Sequence, residues 1–228
     1  MRELGFAELR AYSTVEVREG AVAHVTGDLA EGFGVGGERG RRVVLASGVE
    51  DVLPDVPGVA ELWGRGVYHC VYCHGFEVRG QRLGVLGAGR GDVARHLTRF
   101  SADVTWCGDG SEVPRIPGVR GVRERVAGVG RGWVEFVGGG RVGCDALFLR
   151  AGVRQRSDVP GLLGCAFLED GRVRVDELFR TSVGGVYAVG DMAGRAGVPS
   201  VGAVIVSAAS GMVAGGVVDM DLLREDAG

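Results

Sequence analysis

The chain has 228 residues, is 46% hydrophobic and 24% charged, and carries a formal net charge of −3. Those values suit one good hydrophobic core or two small ones, and they exclude a disordered or low-complexity chain. All 26 basic residues are arginines scattered along the sequence, so no basic patch for nucleic acid is present.

Residues 3–12 read as a short amphipathic helix with none of the charged-then-apolar pattern of a secretory signal, so a cytoplasmic location is expected. β-rich segments follow at Thr14–Arg18, Ala21–Thr26 and Gly32–Val35, with glycines between them. Arg42–Ala46 has the pattern of a buried strand and ends in Ser47-Gly48. Leu53-Pro-Asp-Val-Pro-Gly58 then marks a crossover between domains. Past Val59 come a Cys-x-x-Cys segment, a strand at Leu83–Leu86, a glycine-rich turn, a helix over Asp92–Phe100 and a strand at Asp103–Trp106. That order is half of a Rossmann-type βαβ unit. Residues 108–132 are turn-rich with no helix pattern, and Trp133–Val137 with Arg141–Leu149 reads as a hairpin around Gly138–Gly140. Gly185–Asp191 is a strand ending in Gly190-Asp191. The uncharged run Val198–Val218 approaches the length of a bilayer span, but Ser200, Ser207, Ser210 and several glycines dilute it. A buried C-terminal helix is the expectation, with no membrane partner.

Five cysteines, an odd number, do not describe a disulfide-stapled secreted fold. Cys107, Cys144 and Cys165 stand alone among apolar neighbours and read as small buried hydrophobes. Cys70 and Cys73 differ. Two intervening residues let both sulfurs meet across one turn, so a disulfide can form and break with little backbone movement. A helix starting at Cys73 would favour its thiolate, and His69 and His74 are placed to supply or hold a proton. On this reading Cys70 is the outward sulfur that meets substrate, Cys73 is the inward one, and His74 is the acid/base. Half of a zinc site, with His69 or His74 as further ligands, is the metal alternative. No second pair lies at finger spacing and His24 and His96 are remote, so no metal is expected. An inert thiol pair and a flavin-free thioredoxin-like carrier are the remaining alternatives.

Gly84-Val-Leu-Gly87-Ala-Gly89-Arg-Gly-Asp92 follows a strand and opens a helix, the context in which Gly87 and Gly89 would hold a dinucleotide pyrophosphate. Asp92 is a good capping carboxylate there but repels phosphate, and no arginine pair follows Trp106-Cys-Gly-Asp109 for a 2′-phosphate. NAD(P)H is therefore not expected. A plain strand-to-helix turn is the structural alternative.

Three segments together resemble the low-molecular-weight thioredoxin reductase family, within the pyridine nucleotide-disulphide oxidoreductases, and most closely its dithiol oxidase branch from natural-product pathways. Val43-Val-Leu-Ala-Ser-Gly48 with Pro54 and Val56-Pro-Gly58 is similar to the family's strand-to-crossover segment. Cys70-Val-Tyr-Cys-His-Gly75 is similar to the oxidase form of its active centre, where His replaces the reductases' Asp. Thr181–Ala193 is similar to its second flavin motif, whose Asp meets the FAD ribityl chain, here Asp191. The resemblance implies an α/β fold of two Rossmann-like, three-layer ββα units, both reduced in size. Their expected spans are residues 1–59 with 155–228 for the FAD-type domain and 60–154 for an inserted NAD(P)-type domain. It implies FAD as cofactor with Ala46, Gly48, Gly190 and Asp191 beside it, and Cys70, Cys73, His74 and His69 as catalytic residues. The family's opening strand, glycine turn and helix for the FAD pyrophosphate have no counterpart ahead of residue 3, and Pro199-Ser-Val-Gly replaces residues the family sets against the flavin ring.

Two functions follow as expectations. One is a thiol–disulfide oxidoreductase that oxidises a small-molecule or protein dithiol through Cys70 and Cys73, linked to FAD and then to oxygen or another acceptor, as a homodimer. The other is a flavin-free enzyme using His69, Tyr72 or His74 without redox chemistry, or a partner subunit on the same scaffold.

Overall fold

The structure is a computed structural model that describes residues 2–87, 90–110, 112, 113, 115–200 and 202–228. The strands in chain order are β1 (Val25–Asp28), β2 (Gly32–Val35), β3 (Glu38–Gly40), β4 (Val43–Leu45), β5 (Val49–Val52), β6 (Val67–Tyr68), β7 (Leu83–Leu86), β8 (Val104–Cys107) and β9 (Val119–Val122). They continue as β10 (Val126–Gly130), β11 (Gly132–Phe136), β12 (Arg141–Cys144), β13 (Ala146–Phe148), β14 (Gly152–Gln155), β15 (Val173–Arg174), β16 (Val186–Ala188) and β17 (Ala193–Gly194). The helices are α1 (Arg2–Leu9), α2 (Val59–Leu62), α3 (Val71–His74), α4 (Gly91–Leu97), α5 (Val159–Leu162) and α6 (Val204–Ala227).

The chain divides into two compact units, residues 1–50 with 153–228 and residues 51–152. The Pro-marked crossover thus goes with the inserted unit, earlier than the expected boundary at 59. Leu53 and Val56 pack on that unit's core, and the Val129 N–H donates to Pro57 O at 2.8 Å.

The inserted unit is built on a five-stranded parallel sheet in the order β6-β13-β7-β8-β9. Both faces are covered, so β7 and β8 are buried at every position, with Thr105 the one polar residue among them. Leu83, Val85, Val104, Trp106, Ala146 and Phe148 face a core shared with Val71 of α3 and with Ala94 and Leu97 of α4. Leu86, Cys107 and Leu147 point the other way, onto Val126, Val134 and Phe136 of the antiparallel sheet β10-β11-β12. The layers are helix, parallel sheet, antiparallel sheet, a fuller unit than half of a βαβ. The expected strand 141–149 is two strands in two sheets. Asp145 causes the break: its carboxylate takes the Arg82 backbone N–H at 3.0 Å and Nε at 2.9 Å, turning the chain from β12 into β13.

The first unit holds the antiparallel sheet β1-β2-β3 and the parallel pair β4-β16. Phe33, Leu45, Val173, Val186, Ala188 and Met192 form its core. Residues 14–18 make no strand: Val15 is exposed, and Arg18 pairs at 2.6 Å with both Glu16 and Glu38. β-propensity without a neighbouring strand does not hold an extended segment. The C-terminal helix forms, but its expected burial does not. Only Ser210 and Ala214 are buried on it, while Ile205 is 77% and Met212 76% exposed. By length and apolar composition it suffices to cross a membrane, a weak criterion that core helices also meet.

Gly84 of β7 is where sheet packing is tightest, because a Cβ there would stand 2.7 Å from Cys144 Sγ and 2.8 Å from Leu147 Cδ1. Gly84→Ala is expected to destabilise the inserted unit by about 1–3 kcal/mol, read as a lower midpoint in chemical denaturation.

Candidate active site

Strand β6 delivers the chain to the cysteine pair. Val67 is fully buried at the strand's start, and Val71, one residue past Cys70, is buried again. Gly75 closes the turn where a side chain would not fit: a Cβ would stand 2.6 Å from Val71 O and 2.9 Å from the Phe100 ring. With Val71 and Gly75 turned inward, Tyr72, Cys73 and Phe76 are left exposed on the outer side.

Cys70 and Cys73 are joined as a disulfide with their Cα atoms 5.3 Å apart. Cys70, not Cys73, is the N-cap of α3, and its Sγ accepts the Cys73 N–H at 3.1 Å. With only four residues, α3 contributes little dipole, so the single amide contact replaces the helix-start effect expected at Cys73. Cys73, the sulfur expected to face inward, is the more exposed of the two, and Cys70 is half-buried.

His74 is half-buried and fixed on two sides. Its ring stacks on Tyr68 with centroids 4.3 Å apart, and Tyr68 leans on buried Phe148 at 5.7 Å. Its Nδ1 lies 3.0 Å from Glu77 Oε2. His69 is exposed and held by an aromatic neighbour, Trp63, at 5.7 Å. Tyr72, 86% exposed, meets His96 edge-on at 4.6 Å. Among the described residues no group of three or more His, Cys, Asp or Glu side chains is placed to hold a metal ion.

Gly87 follows β7 with φ +98, while Gly89 lies outside the described residues. α4 begins at Gly91 with Arg90 as N-cap, and Asp92 sits in its first turn.

Ala46, Gly48, Gly190 and Asp191 all belong to the first unit, where they follow the paired parallel strands β4 and β16. Ligands of open parallel sheets bind outside such carboxyl ends. Gly48 and Gly190 have φ +75 and +69, and the space a Cβ would take at Gly48 is open. The Gly190 N–H donates to Ser210 Oγ at 2.9 Å, and Asp191 Oδ1 accepts from Ser207 Oγ at 3.2 Å. Asp191, Gly190 and Gly202 share a cavity with Pro199, Ser200 and Arg195. An open glycine at the end of one strand and a hydroxyl-oriented carboxylate at the end of its neighbour fit a polyhydroxylated chain such as the FAD ribityl group.

Two residues here carry no sequence signal. Glu77 reads as an ordinary surface carboxylate until its contact with His74 is seen. Gln155 donates to Gly171 O at 2.8 Å and Met192 O at 3.1 Å, fastening the segment after Asp191, and leaves its buried Oε1 without a partner.

Residues 119–211 match the family model of the pyridine nucleotide-disulphide oxidoreductases. The chain is 39% identical over 175 residues to the thioredoxin reductase tcpT of Claviceps purpurea, covering 67% of this chain and 54% of that one. It is 31% identical over 216 residues to the thioredoxin reductase sirT of Leptosphaeria maculans, covering 82% and 64%. It therefore spans between about half and two thirds of the length of these relatives. The crystal structure of HlmI superposes with a TM-score of 0.81 at 32% identity, over 99% of this chain and 76% of that chain.

Cys107, Cys144 and Cys165 are free and buried, and burial pushes all three thiols up, Cys107 to about 12. At pH 8 the Cys107 thiolate fraction is then on the order of 10⁻⁴. Iodoacetamide is expected to leave the folded, oxidised protein unlabelled, to label Cys70 and Cys73 after mild reduction, and to reach all five cysteines only on denaturation. Peptide mass mapping reads each state.

Proposed function

We propose, from the premise that this chain belongs to the pyridine nucleotide-disulphide oxidoreductase family as a thioredoxin reductase-like oxidoreductase, that it oxidises a small-molecule dithiol through Cys70 and Cys73. The observation that carries this reading is the Cys70–Cys73 bridge beside a histidine fixed by Tyr68 and Glu77.

In the exchange, one substrate thiolate attacks Cys70 Sγ, the Cys70–Cys73 bond breaks, and Cys73 leaves as a thiolate. His74 takes the proton of the second substrate thiol, which attacks the mixed disulfide and releases Cys70 as a thiolate. The substrate loses two electrons and two protons and becomes a disulfide; the cysteine pair takes the two electrons as two thiolates, one proton rests on His74, and the other left to solvent when the first substrate thiol ionised. The assignment of Cys70 to substrate and of Cys73 to the electron acceptor comes from the sequence; the greater exposure of Cys73 runs against its inward placement. FAD, when bound, supplies the two-electron acceptor that restores the Cys70–Cys73 disulfide. Gly48 and Ala46 at the end of β4, with Gly190 and Asp191 after β16, are the residues that would hold it. The branch whose members oxidise dithiols is favoured over the reductases by His74, an imidazole where the reductases carry an aspartate. Action in the cytoplasm and as a homodimer belongs to the same proposal.

The test is the visible spectrum of the full chain titrated with FAD, then mixed anaerobically with excess dithiothreitol and returned to air. A flavin band that bleaches with the dithiol and recovers in air is expected. Cys73→Ser should abolish the bleaching, and His74→Ala should slow it by about 10²-fold. A protein that perturbs no flavin spectrum at any FAD concentration, or that bleaches equally without Cys73, would overturn the flavin-linked reading.

A further inference from the structure

We infer that Glu77 is a positioning residue for His74, setting which ring nitrogen is available to the cysteine pair. This rests on the proposed acid/base role of His74. A carboxylate accepts hydrogen bonds and donates none, so the 3.0 Å contact between Glu77 Oε2 and His74 Nδ1 places the proton of a neutral ring on Nδ1. Nε2 is then the basic nitrogen, the one that can take a thiol proton. Tautomer control by a hydrogen bond to the far nitrogen is how protein carboxylates prepare a neighbouring histidine for chemistry or for metal.

The geometry around the contact supports a dedicated arrangement. Glu77 follows His74 by three residues, and the Glu77 N–H donates to His74 O at 3.1 Å while the Val78 N–H reaches the same carbonyl at 3.3 Å. The backbone thus carries the helical path beyond α3 and puts the carboxylate on the His74 side. Val78, buried on the core of the parallel sheet, anchors the far end of that turn. Tyr68 supplies the second restraint by stacking on the ring at 4.3 Å, which fixes the ring plane and leaves rotation about it to the carboxylate. Glu77 itself is 67% exposed, so little of the fold depends on it. Nearby charge does not duplicate its role: the Arg79 guanidinium lies over the Phe76 ring at 4.1 Å and donates to Phe76 O at 2.9 Å.

The test uses the half-reaction that needs no flavin: reduction of Cys70–Cys73 in the full chain by dithiothreitol, sampled by acid quench and thiol labelling. In it the reagent's two thiols become its cyclic disulfide and the pair becomes two thiols. Glu77→Leu is expected to slow reduction about tenfold. Glu77→Gln keeps an acceptor oxygen at the same reach and is expected to stay within about threefold of the parent. The double variant Glu77→Leu/His74→Ala should be no slower than His74→Ala alone, because Glu77 acts through the ring. Glu77→Gln as slow as Glu77→Leu, or effects that multiply in the double variant, would overturn the inference. If His74→Ala reduces at the parent rate, the acid/base role fails, and the ¹⁵N shifts of the His74 ring decide the positioning claim by themselves. An Nδ1–H tautomer in the parent that becomes mixed in Glu77→Leu supports it, and the same tautomer population in both overturns it.

Discussion

The placement of the cysteine pair depends on one packing constraint, the seating of the Cys-x-x-Cys turn against the parallel sheet of the inserted unit. Val71 is buried between the two cysteines, and Gly75 lies so close to Phe100 and to Val71 O that only a hydrogen fits at its α-carbon. With those two positions facing inward, the turn cannot rotate, and Cys73 stays on the accessible side while Cys70 caps the short helix. The sheet beneath is covered on both faces, by α3 and α4 on one side and by β10–β12 on the other, so the disulfide rests on a fully packed floor. A redox pair needs that combination, since exchange proceeds through sulfurs that can be reached without unfolding their support.

Much of this was legible in the sequence because burial on both faces leaves a plain mark. β7 is an apolar run, β8 is one interrupted only by Thr105, and β16 is a similar pattern followed by Gly190-Asp191. The cysteine spacing and the adjacent histidine pointed to exchange chemistry for a reason internal to the residues: two sulfurs three positions apart share one turn. What escaped was long-range. The division of 141–149 into β12 and β13 depends on Asp145 meeting Arg82, a partner 63 residues away. The lack of a strand at 14–18 depends on there being no neighbour to pair with, and the exposure of α6 on what packs against it. Glu77 was invisible for a similar reason, since nothing in a single carboxylate says that the adjacent turn will aim it at an imidazole.

The residues of interest fall in both units. The inserted unit, residues 51–152, holds the cysteines, His69, His74 and Glu77. The first unit holds the ends of β4 and β16, where the space beside Gly48 is open and Asp191 accepts from Ser207, the residues proposed to hold FAD. The three solitary cysteines stand outside this scheme. They are buried, their thiols are pushed up, and they serve the cores of both units as small apolar residues.

The claim that matters most is that the Cys70–Cys73 bridge is a working disulfide rather than a staple. The direct measurement is its reduction potential, taken by equilibrating the folded chain with graded mixtures of reduced and oxidised dithiothreitol or glutathione. Thiol labelling of Cys70 and Cys73 reads the fraction reduced, and far-ultraviolet circular dichroism reads the fold. One reversible two-electron transition at about −180 to −270 mV, with the fold unchanged throughout, is expected. A bridge that stays oxidised below about −300 mV, or that opens only as the chain unfolds, would contradict it.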